Sequence, residues 1–151
     1  MSANGSSTLT CHLCDQVNQF PKSRLREKLA CRVCGTVLVS DSVLDMDAKE
    51  FKVAIQGDNI PMVVDFWSEA NASARQSSKE FRKAAKSEVV TARFVILNTQ
   101  DHPGIADDHK ITNVPTLVVF NKGREVGRVT GAFNALEINA FTKICLSLSE
   151  T

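Results

Sequence analysis

The sequence lacks the features of an exported or membrane-spanning protein. Its first ten residues are small and polar, without the charged start and the apolar core of about 7 to 15 residues that a secretory signal needs. Its longest apolar runs, within residues 62–67 and 116–120, fall far short of the roughly 18 to 20 residues that span a bilayer. These absences predict a cytoplasmic protein without a membrane segment.

Strong charge of either sign is also missing. The net charge is +1, so no global field favours nucleic acid or an anionic membrane as a partner. Residues 1–40 are mildly basic, with five Lys and Arg side chains against two acidic ones. Because these cations are not interleaved with aromatic side chains, a solvated face is favoured over a nucleic-acid surface.

Four of the five cysteines form two close pairs near the N-terminus. Two residues separate Cys11 from Cys14 and Cys31 from Cys34, and 16 residues lie between the pairs. This spacing lets four thiolates complete the tetrahedron of a structural Zn²⁺. Redox disulfides are the alternative, which the missing export signal disfavours. His12 could replace one ligand, but it is expected to face solvent because four cysteines suffice.

The chain divides into three segments. Residues 1–8 are predicted to be a disordered tail. Residues 9–40 contain too few apolar side chains to hold a fold unaided, so a metal is expected to stabilise them as a zinc ribbon. Residues 41–151 carry alternating helix and strand patterns, which predict one α/β domain.

Apolar spacing predicts the elements of that domain. Helical stripes occur at residues 45–56 and 69–87, and the apolar runs at 62–67 and 93–98 are typical of central strands buried on both faces. A right-handed crossover would make these two strands parallel. A short helix or turn at 101–111 and an antiparallel hairpin follow, completing a mixed sheet flanked by helices.

The last helix is expected to begin at Asn134, which forms a capping pattern with Glu137. Its apolar spacing predicts one buried face formed by four residues, Ile138, Phe141, Cys145 and Leu148. Cys145 is therefore expected to be a small buried hydrophobe rather than a reactive thiol.

Four segments together resemble the thioredoxin family. They are VVDFW, NVPTLVVF, NKGREV and VTGAF, which begin at residues 63, 113, 121 and 129. The paired cysteines ahead of them are similar to the zinc-binding branch, bacterial thioredoxin 2. The resemblance covers residues 10–148 and implies a thioredoxin fold, with a mixed central sheet flanked by helices and an N-terminal zinc ribbon.

The resemblance also implies that the family's WCGPC motif is lost. Its five positions fall on residues 70–74, with Asn71 at the attacking cysteine and Ala74 at the resolving one. Thiol–disulfide exchange needs a thiolate and a second thiol, and neither an amide nor a methyl group supplies one. Dithiol chemistry at this position is therefore not expected. Asn71 is instead predicted to cap the following helix by accepting a backbone N–H at Ser73 or Ala74.

Asp65 interrupts an apolar strand. In the thioredoxin family a matching buried aspartate helps to move the proton of the resolving cysteine, whose place Ala74 takes here. Burial disfavours the charged form of a carboxyl group, so Asp65 is expected to have a raised pKa. A hydrogen-bonded structural aspartate is favoured over a relic or a new proton relay.

A peptide-binding groove is a further implication of the resemblance. Pro115 matches the family's cis proline, which exposes the backbone before it for strand-like pairing with a peptide. Beside Asn71, the groove would be formed by Trp67, Val114, Pro115, Thr130, Gly131 and Ala132. The alternative is that these residues merely close the fold.

The favoured hypothesis is a thioredoxin-like protein that kept the zinc ribbon and the peptide-facing surface but not the dithiol. It would act as a scaffold, a chaperone-like module or a subunit, binding a protein or an extended peptide. One rival hypothesis is a protein-disulfide oxidoreductase that uses other cysteines, and another is nucleic-acid binding by the ribbon. The sequence identifies neither the partner nor the oligomeric state.

Overall fold

Two antiparallel hairpins form a ribbon ahead of the main sheet in the computed structural model, which describes residues 6–25, 27–87 and 90–149. The elements of the ribbon are β1 (Ser6–Thr10), β2 (Val17–Pro21), a 3-10 helix (Lys22–Arg24), β3 (Leu29–Ala30) and β4 (Val37–Val39). β1 pairs with β2 and β3 pairs with β4. Each hairpin turn carries one cysteine pair, so the two pairs come together when the two turns lie side by side.

The predicted disordered tail is wrong at its C-terminal end. Ser6, Ser7 and Thr8 belong to β1, where they pair with residues 19–21 of β2. Thr8 is held further by its backbone N–H, which donates to Asn59 Oδ1 at 2.7 Å. These bonds order a segment that has no apolar pattern of its own. The rest of the predicted tail, residues 1–5, lies outside the described residues.

The main domain contains a five-stranded mixed sheet with helices on both faces. Its elements are β5 (Leu44–Asp45), α1 (Ala48–Gly57), β6 (Met62–Trp67), α2 (Ala72–Lys86), β7 (Arg93–Asn98), α3 (Pro103–Asp108), β8 (Thr116–Asn121), β9 (Arg124–Thr130) and α4 (Ala135–Ser149). The strand order is β5-β7-β6-β8-β9. β6 and β7 are parallel, whereas β8 is antiparallel to both β6 and β9. The predicted mixed sheet is confirmed, and the two-residue strand β5 is added at its edge.

Each face of the sheet covers its own apolar core. Phe81, Phe94 and Ile138 belong to the core between the sheet and helices α2 and α4. Phe51 and Phe66 belong to the core on the α1 and α3 side. Because side chains alternate along a strand, β6 contributes to both cores and is buried over most of its length.

Helix α4 confirms the predicted start and corrects the predicted buried face. The N–H of Glu137 donates to Asn134 Oδ1 at 2.8 Å, and the N–H of Asn134 donates to Glu137 Oε1 at 2.9 Å. Leu148, however, is 69% exposed because it lies on the solvent side of the last turn, where Leu146 packs on the core and Ser149 Oγ accepts a hydrogen bond from Asn121 Nδ2 of β8. The buried face consists of Ile138, Asn139, Thr142 and Cys145. No helix within the described ranges is long and apolar enough to cross a membrane.

Candidate functional site

The fold brings the four ribbon cysteines into one cluster. Cys11, Cys14, Cys31 and Cys34 place their sulfur atoms within 4.8 Å of one another. Cys11 Sγ lies 3.6 Å from Cys34 Sγ, and Cys14 Sγ lies 3.7 Å from Cys31 Sγ. All four thiols are free, so these contacts are not disulfides.

The geometry of the cluster fits a tetrahedral thiolate site. A Zn–S bond of about 2.3 Å and tetrahedral angles place ligand sulfurs roughly 3.8 Å apart, close to the two observed separations. Backbone amides point at the sulfurs, as when the N–H of Val33 donates to Cys31 Sγ at 3.5 Å. The amides of Cys34 and Val33 lower the pKa of Cys31 to about 6. The donor set therefore fits Zn²⁺, and it leaves no open coordination position.

Arg93 anchors the ribbon to the main sheet. Its guanidinium is fully buried at the start of β7. It donates to Leu38 O at 3.0 Å, to Thr10 O at 3.2 Å and to Asp58 Oδ2 at 2.8 Å. His12 Nδ1 lies 2.9 Å from Arg93 Nη2, so the expectation that His12 faces solvent is wrong. Burial and the charge of Arg93 lower the His12 pKa to about 4.

The sequence alone did not single out Arg93 or Asp58. Arg93 stands at the first position of an apolar strand, where a charged residue usually remains in solvent. Asp58 follows α1, where it resembles an ordinary loop residue. The sequence signal that could have identified Arg93 is a charged residue at the first position of a strand that is buried on both faces.

The second candidate site lies at the opposite end of the same strands. Trp67 ends β6 and pairs with Asn98 at the end of β7, whereas Met62 pairs with Arg93 at their beginning. Five residues of strand correspond to roughly 16 Å. The ribbon cysteines, which adjoin Arg93, are therefore remote from the segment that follows Trp67.

That following segment is organised as a helix start. Asn71 Oδ1 accepts the N–H of Ala74 at 2.8 Å, which confirms the predicted cap of α2. The N–H of Asn71 donates to Ser68 O at 3.1 Å, and Arg75 Nη1 donates to Glu69 O at 2.6 Å. Ala74 is fully buried. The side chain at position 71 thus caps the helix, and the side chain at position 74 packs in the core.

Asp65 lies on the sheet face that α2 covers, on the same side as Trp67. It is 2% exposed, and Oδ2 is a buried oxygen without a hydrogen-bond partner among the described residues. The expected satisfied structural aspartate is therefore not what the structure shows. Burial raises the Asp65 pKa to about 7, although the positive charge of Arg82 opposes the shift. The indole Nε1 of Trp67 is likewise buried without a partner in the described part of the chain.

The predicted groove residues meet where three strands end. Thr116 of β8 pairs with Phe66 on one side and with Thr130 on the other, so Trp67, Pro115 and Gly131 lie next to one another at one edge. The N–H of Gly131 donates to Pro115 O at 2.9 Å and fixes this arrangement. Val114, Gly131 and Trp67 are half-buried, whereas Thr130 and Ala132 are exposed.

The backbone just before Pro115 carries polar groups that are unpaired among the described residues. The Val114–Pro115 peptide bond is cis, as the resemblance implied. Within residues 6–25, 27–87 and 90–149, neither the N–H nor the carbonyl of Val114 takes part in a hydrogen bond. Free donors and acceptors of this kind can pair with an extended peptide through main-chain bonds.

Cys145 is not part of either site. It is 6% exposed and packs in the core between the sheet and helices α2 and α4, as predicted. A Cβ atom on Gly127 of β9 would collide with the Cys145 sulfur, so this glycine makes room for the thiol. Burial raises the pKa of Cys145, which opposes thiolate formation.

Comparisons with known proteins place these features in one family. A family model described as thioredoxin matches residues 42–143. Thioredoxin C-3 of Corynebacterium nephridii is 25% identical over 130 residues, which cover 86% of this chain and 89% of that protein. Thioredoxin of Mycoplasma pneumoniae is 41% identical over 73 residues, 48% of this chain and 71% of its own length.

Solved structures agree on the fold. A mutant thioredoxin from Halobacterium salinarum superposes with a TM-score of 0.63 at 19% identity, covering 69% of this chain and 90% of its own. Thioredoxin f from spinach chloroplast gives a TM-score of 0.63 at 20% identity, with coverages of 70% and 88%. At these identities the likeness shows the architecture, which is a thioredoxin fold.

Proposed function

The chain belongs to the thioredoxin family, and we propose that it is a non-catalytic member that binds an extended segment of another protein. The observation that carries the proposal is the hydrogen bond from the Ala74 N–H to Asn71 Oδ1 at 2.8 Å. By the resemblance to the family's WCGPC motif, these two positions take the places of the attacking and resolving cysteines. Here an amide caps the helix and a methyl group fills the core, and neither can exchange a disulfide.

No other thiol is placed to take over this chemistry. The ribbon cysteines adjoin Arg93, at the far end of β6 and β7 from Trp67. Cys145 is buried in the core and has a raised pKa. A working exchange site needs an accessible thiolate with a second thiol in reach, and neither location supports one beside Pro115.

Binding is supported by the edge at which Trp67, Pro115 and Gly131 meet. The backbone groups of Val114, which are unpaired within the described part of the chain, provide a main-chain donor and an acceptor, and the exposed Thr130 and Ala132 border them. Main-chain pairing favours an extended protein segment over a small molecule. Loss of the dithiol would leave this recognition surface in place, since none of its contacts requires sulfur.

Insulin reduction in the presence of a thioredoxin reductase tests the absence of catalysis. The wild-type protein is expected to show no turnover above a cysteine-free control. The double variant Asn71→Cys and Ala74→Cys restores a thiol at the start of α2 and a second one a turn later, so it is expected to gain activity. Wild-type turnover that disappears in Cys145→Ala, or when the ribbon cysteines are replaced, would show instead that another thiol works.

Affinity capture with a substituted groove tests the binding role. Ala132→Arg places a bulky cation at the exposed border of the groove, and we expect it to remove a partner that the wild-type protein retains. Ser147→Arg is the matched control because it adds the same charge on the exposed side of α4. A partner set that is identical for all three proteins would contradict the assignment of this surface.

We further propose that Cys11, Cys14, Cys31 and Cys34 hold one structural Zn²⁺, as in the thioredoxin 2 branch. The bound ion would cross-link the two hairpins of the ribbon and add folding energy. One zinc per chain is expected by elemental analysis. Cys14→Ser should lower this content, whereas Cys145→Ala should leave it unchanged; a metal-free protein with a folded ribbon would contradict the proposal.

A further inference from the structure

The outer face of helix α4 is apolar, like its inner face. Leu136 is 80% exposed and Ile144 is 59% exposed, whereas Ile138 and Cys145 of the same helix are buried in the core. A surface helix normally carries polar side chains on its outer side, and a helix that is apolar all round is normally covered. We propose that a second copy of this chain covers the outer face of α4, so that two copies form a two-fold symmetric dimer.

The exposed apolar side chains of α4 follow one line along the helix. Leu136, Ala140, Ile144 and Leu148 are four residues apart, and all four are exposed. Residues at this spacing are neighbours on a helix, so they form one continuous row about 18 Å long, which we call the α4 ridge. Of the six large apolar side chains that are exposed within the described ranges, three belong to this ridge. Single exposed apolar residues are ordinary on protein surfaces, but a contiguous line of them indicates a contact surface.

The shape of the α4 ridge suits the approach of another helix. Rows of residues four apart are the rows through which helices most commonly pack, at a crossing angle of about 50°. Ala140 lies between Leu136 and Ile144, and its small side chain lets a second helix come close at that point. The occupant that fits this face is therefore a helix that crosses α4 at Ala140.

The charges beside the α4 ridge make this face complementary to itself. Glu137 and Lys143 are the only charged residues of α4, and both are exposed. They lie three residues before and three residues after Ala140, which correspond to rotations of about 60° in opposite directions around the helix. The two charges therefore flank the ridge on opposite sides and at equal distances from Ala140.

This arrangement favours a second copy over a different protein. A two-fold axis that runs along the α4 ridge brings like apolar residues together and places Glu137 of each copy opposite Lys143 of the other. Two pairs of opposite charge then frame the apolar contact on its two sides. Complementary charges at the rim of an interface set its register and disfavour other partners.

Sedimentation equilibrium of the full chain, from micromolar to submillimolar concentration, tests the proposal. A reversible monomer–dimer equilibrium in the micromolar range is expected, because a contact between single helix faces lies at the low end of interface sizes. Ile144→Gln removes two apolar side chains from the contact, one in each copy, and should weaken association by about tenfold or more. Val17→Gln is the matched control, because Val17 is 52% exposed on β2, and this variant should associate as the wild type does.

Reversal of the two charges tests the symmetry of the contact. Glu137→Lys brings only cations to the flanks and Lys143→Glu brings only carboxylates, so each variant alone should associate more weakly than the wild type. An equimolar mixture of the two variants restores opposite charges on both flanks and should associate as tightly as the wild type. Circular dichroism checks that Glu137→Lys, which also removes the acceptor of the Asn134 N–H, keeps its helical content.

Four results would overturn the proposal. The first is a wild-type protein that stays monomeric over the whole concentration range. The second is normal dimerisation of Ile144→Gln, and the third is an equal loss in Val17→Gln. The fourth is a mixture of the two charge variants that associates no better than either variant alone, because Glu137 and Lys143 would then not face each other across a two-fold axis.

Discussion

The folded protein favours the neutral, protonated form of the Asp65 carboxyl group. Its side chain is buried on the α2 side of β6, and Oδ2 has no partner among the described residues. The pKa is raised from 3.8 to about 7, chiefly by burial. Between these values the folded protein binds a proton that the unfolded chain releases. Asp65 therefore makes stability fall as the pH rises from about 4 to 7.

Asp65→Asn should remove this pH-dependent loss. A shift of one pKa unit corresponds to about 1.4 kcal/mol. The unfolding free energy of the variant minus that of the wild type should therefore rise by up to about 4 kcal/mol between pH 4 and pH 8. Urea unfolding of both proteins at several pH values provides the measurement. Equal pH slopes in the two proteins would show that Asp65 does not titrate in this range.

Asn71→Ala tests the cap of α2. The substitution removes the acceptor of the Ala74 N–H and should lower the free energy of unfolding by about 1 kcal/mol. Asn71→Ser retains a side-chain oxygen and should lose less. Chemical denaturation measures both, and equal losses would indicate that the amide acts through other contacts.

At the scale of the elements, β7 is connected to the ribbon through its first residue. Arg93 is buried at the junction and contacts both hairpins through Thr10 and Leu38. Asp58 balances its charge at 2.8 Å and also accepts the N–H of Thr10 at 2.9 Å. The ion pair therefore fixes the ribbon on the sheet as well as neutralising two buried charges.

Replacing one partner of this pair should be more harmful than replacing both. Arg93→Leu leaves the Asp58 carboxylate buried without its counter-charge, and a loss of about 3 to 5 kcal/mol is expected. Adding Asp58→Asn to this variant should recover part of that stability. Unfolding free energies for the wild type, both single variants and the double variant form the test; additive losses would mean that the two side chains act independently.

At the scale of the whole molecule, the ribbon and the main domain share a core. Ile60 precedes β6 and packs with Leu9, Phe20 and Leu38 of the ribbon. The strand pairs of the ribbon are short, and its apolar cluster is small. A segment of this size generally needs a metal or another cross-link to fold stably.

Removal of the proposed metal should therefore act locally. A chelator is expected to speed amide exchange in β1 to β4, while the central strands β6 and β7 stay protected by their own two cores. Hydrogen exchange read by mass spectrometry resolves these regions, and the zinc-loaded protein is the control. Unchanged exchange in the ribbon would show that its hydrogen bonds and small core suffice.

Patterns that lie close together in the chain predicted much of this structure. The apolar runs gave the two central strands, and Asn71 and Asn134 marked the starts of α2 and α4, because capping depends on groups three residues apart. The spacing of the cysteine pairs predicted that they would meet. The buried face of α4 was predicted less well, since Leu146 and Ser149 face the sheet in the last turn whereas Leu148 faces solvent.

The sequence by itself determined the mixed sheet, the helix caps and the chemical character of the groups at positions 71 and 74, because each follows from local pattern or from residue identity. Tertiary structure decided the burial of Arg93 and left Asp65 Oδ2 without a hydrogen-bond partner among the described residues. The partners of Arg93 lie 35 to 83 residues away in the chain. Such contacts depend on how the ribbon docks on the sheet, and no local periodicity encodes that docking.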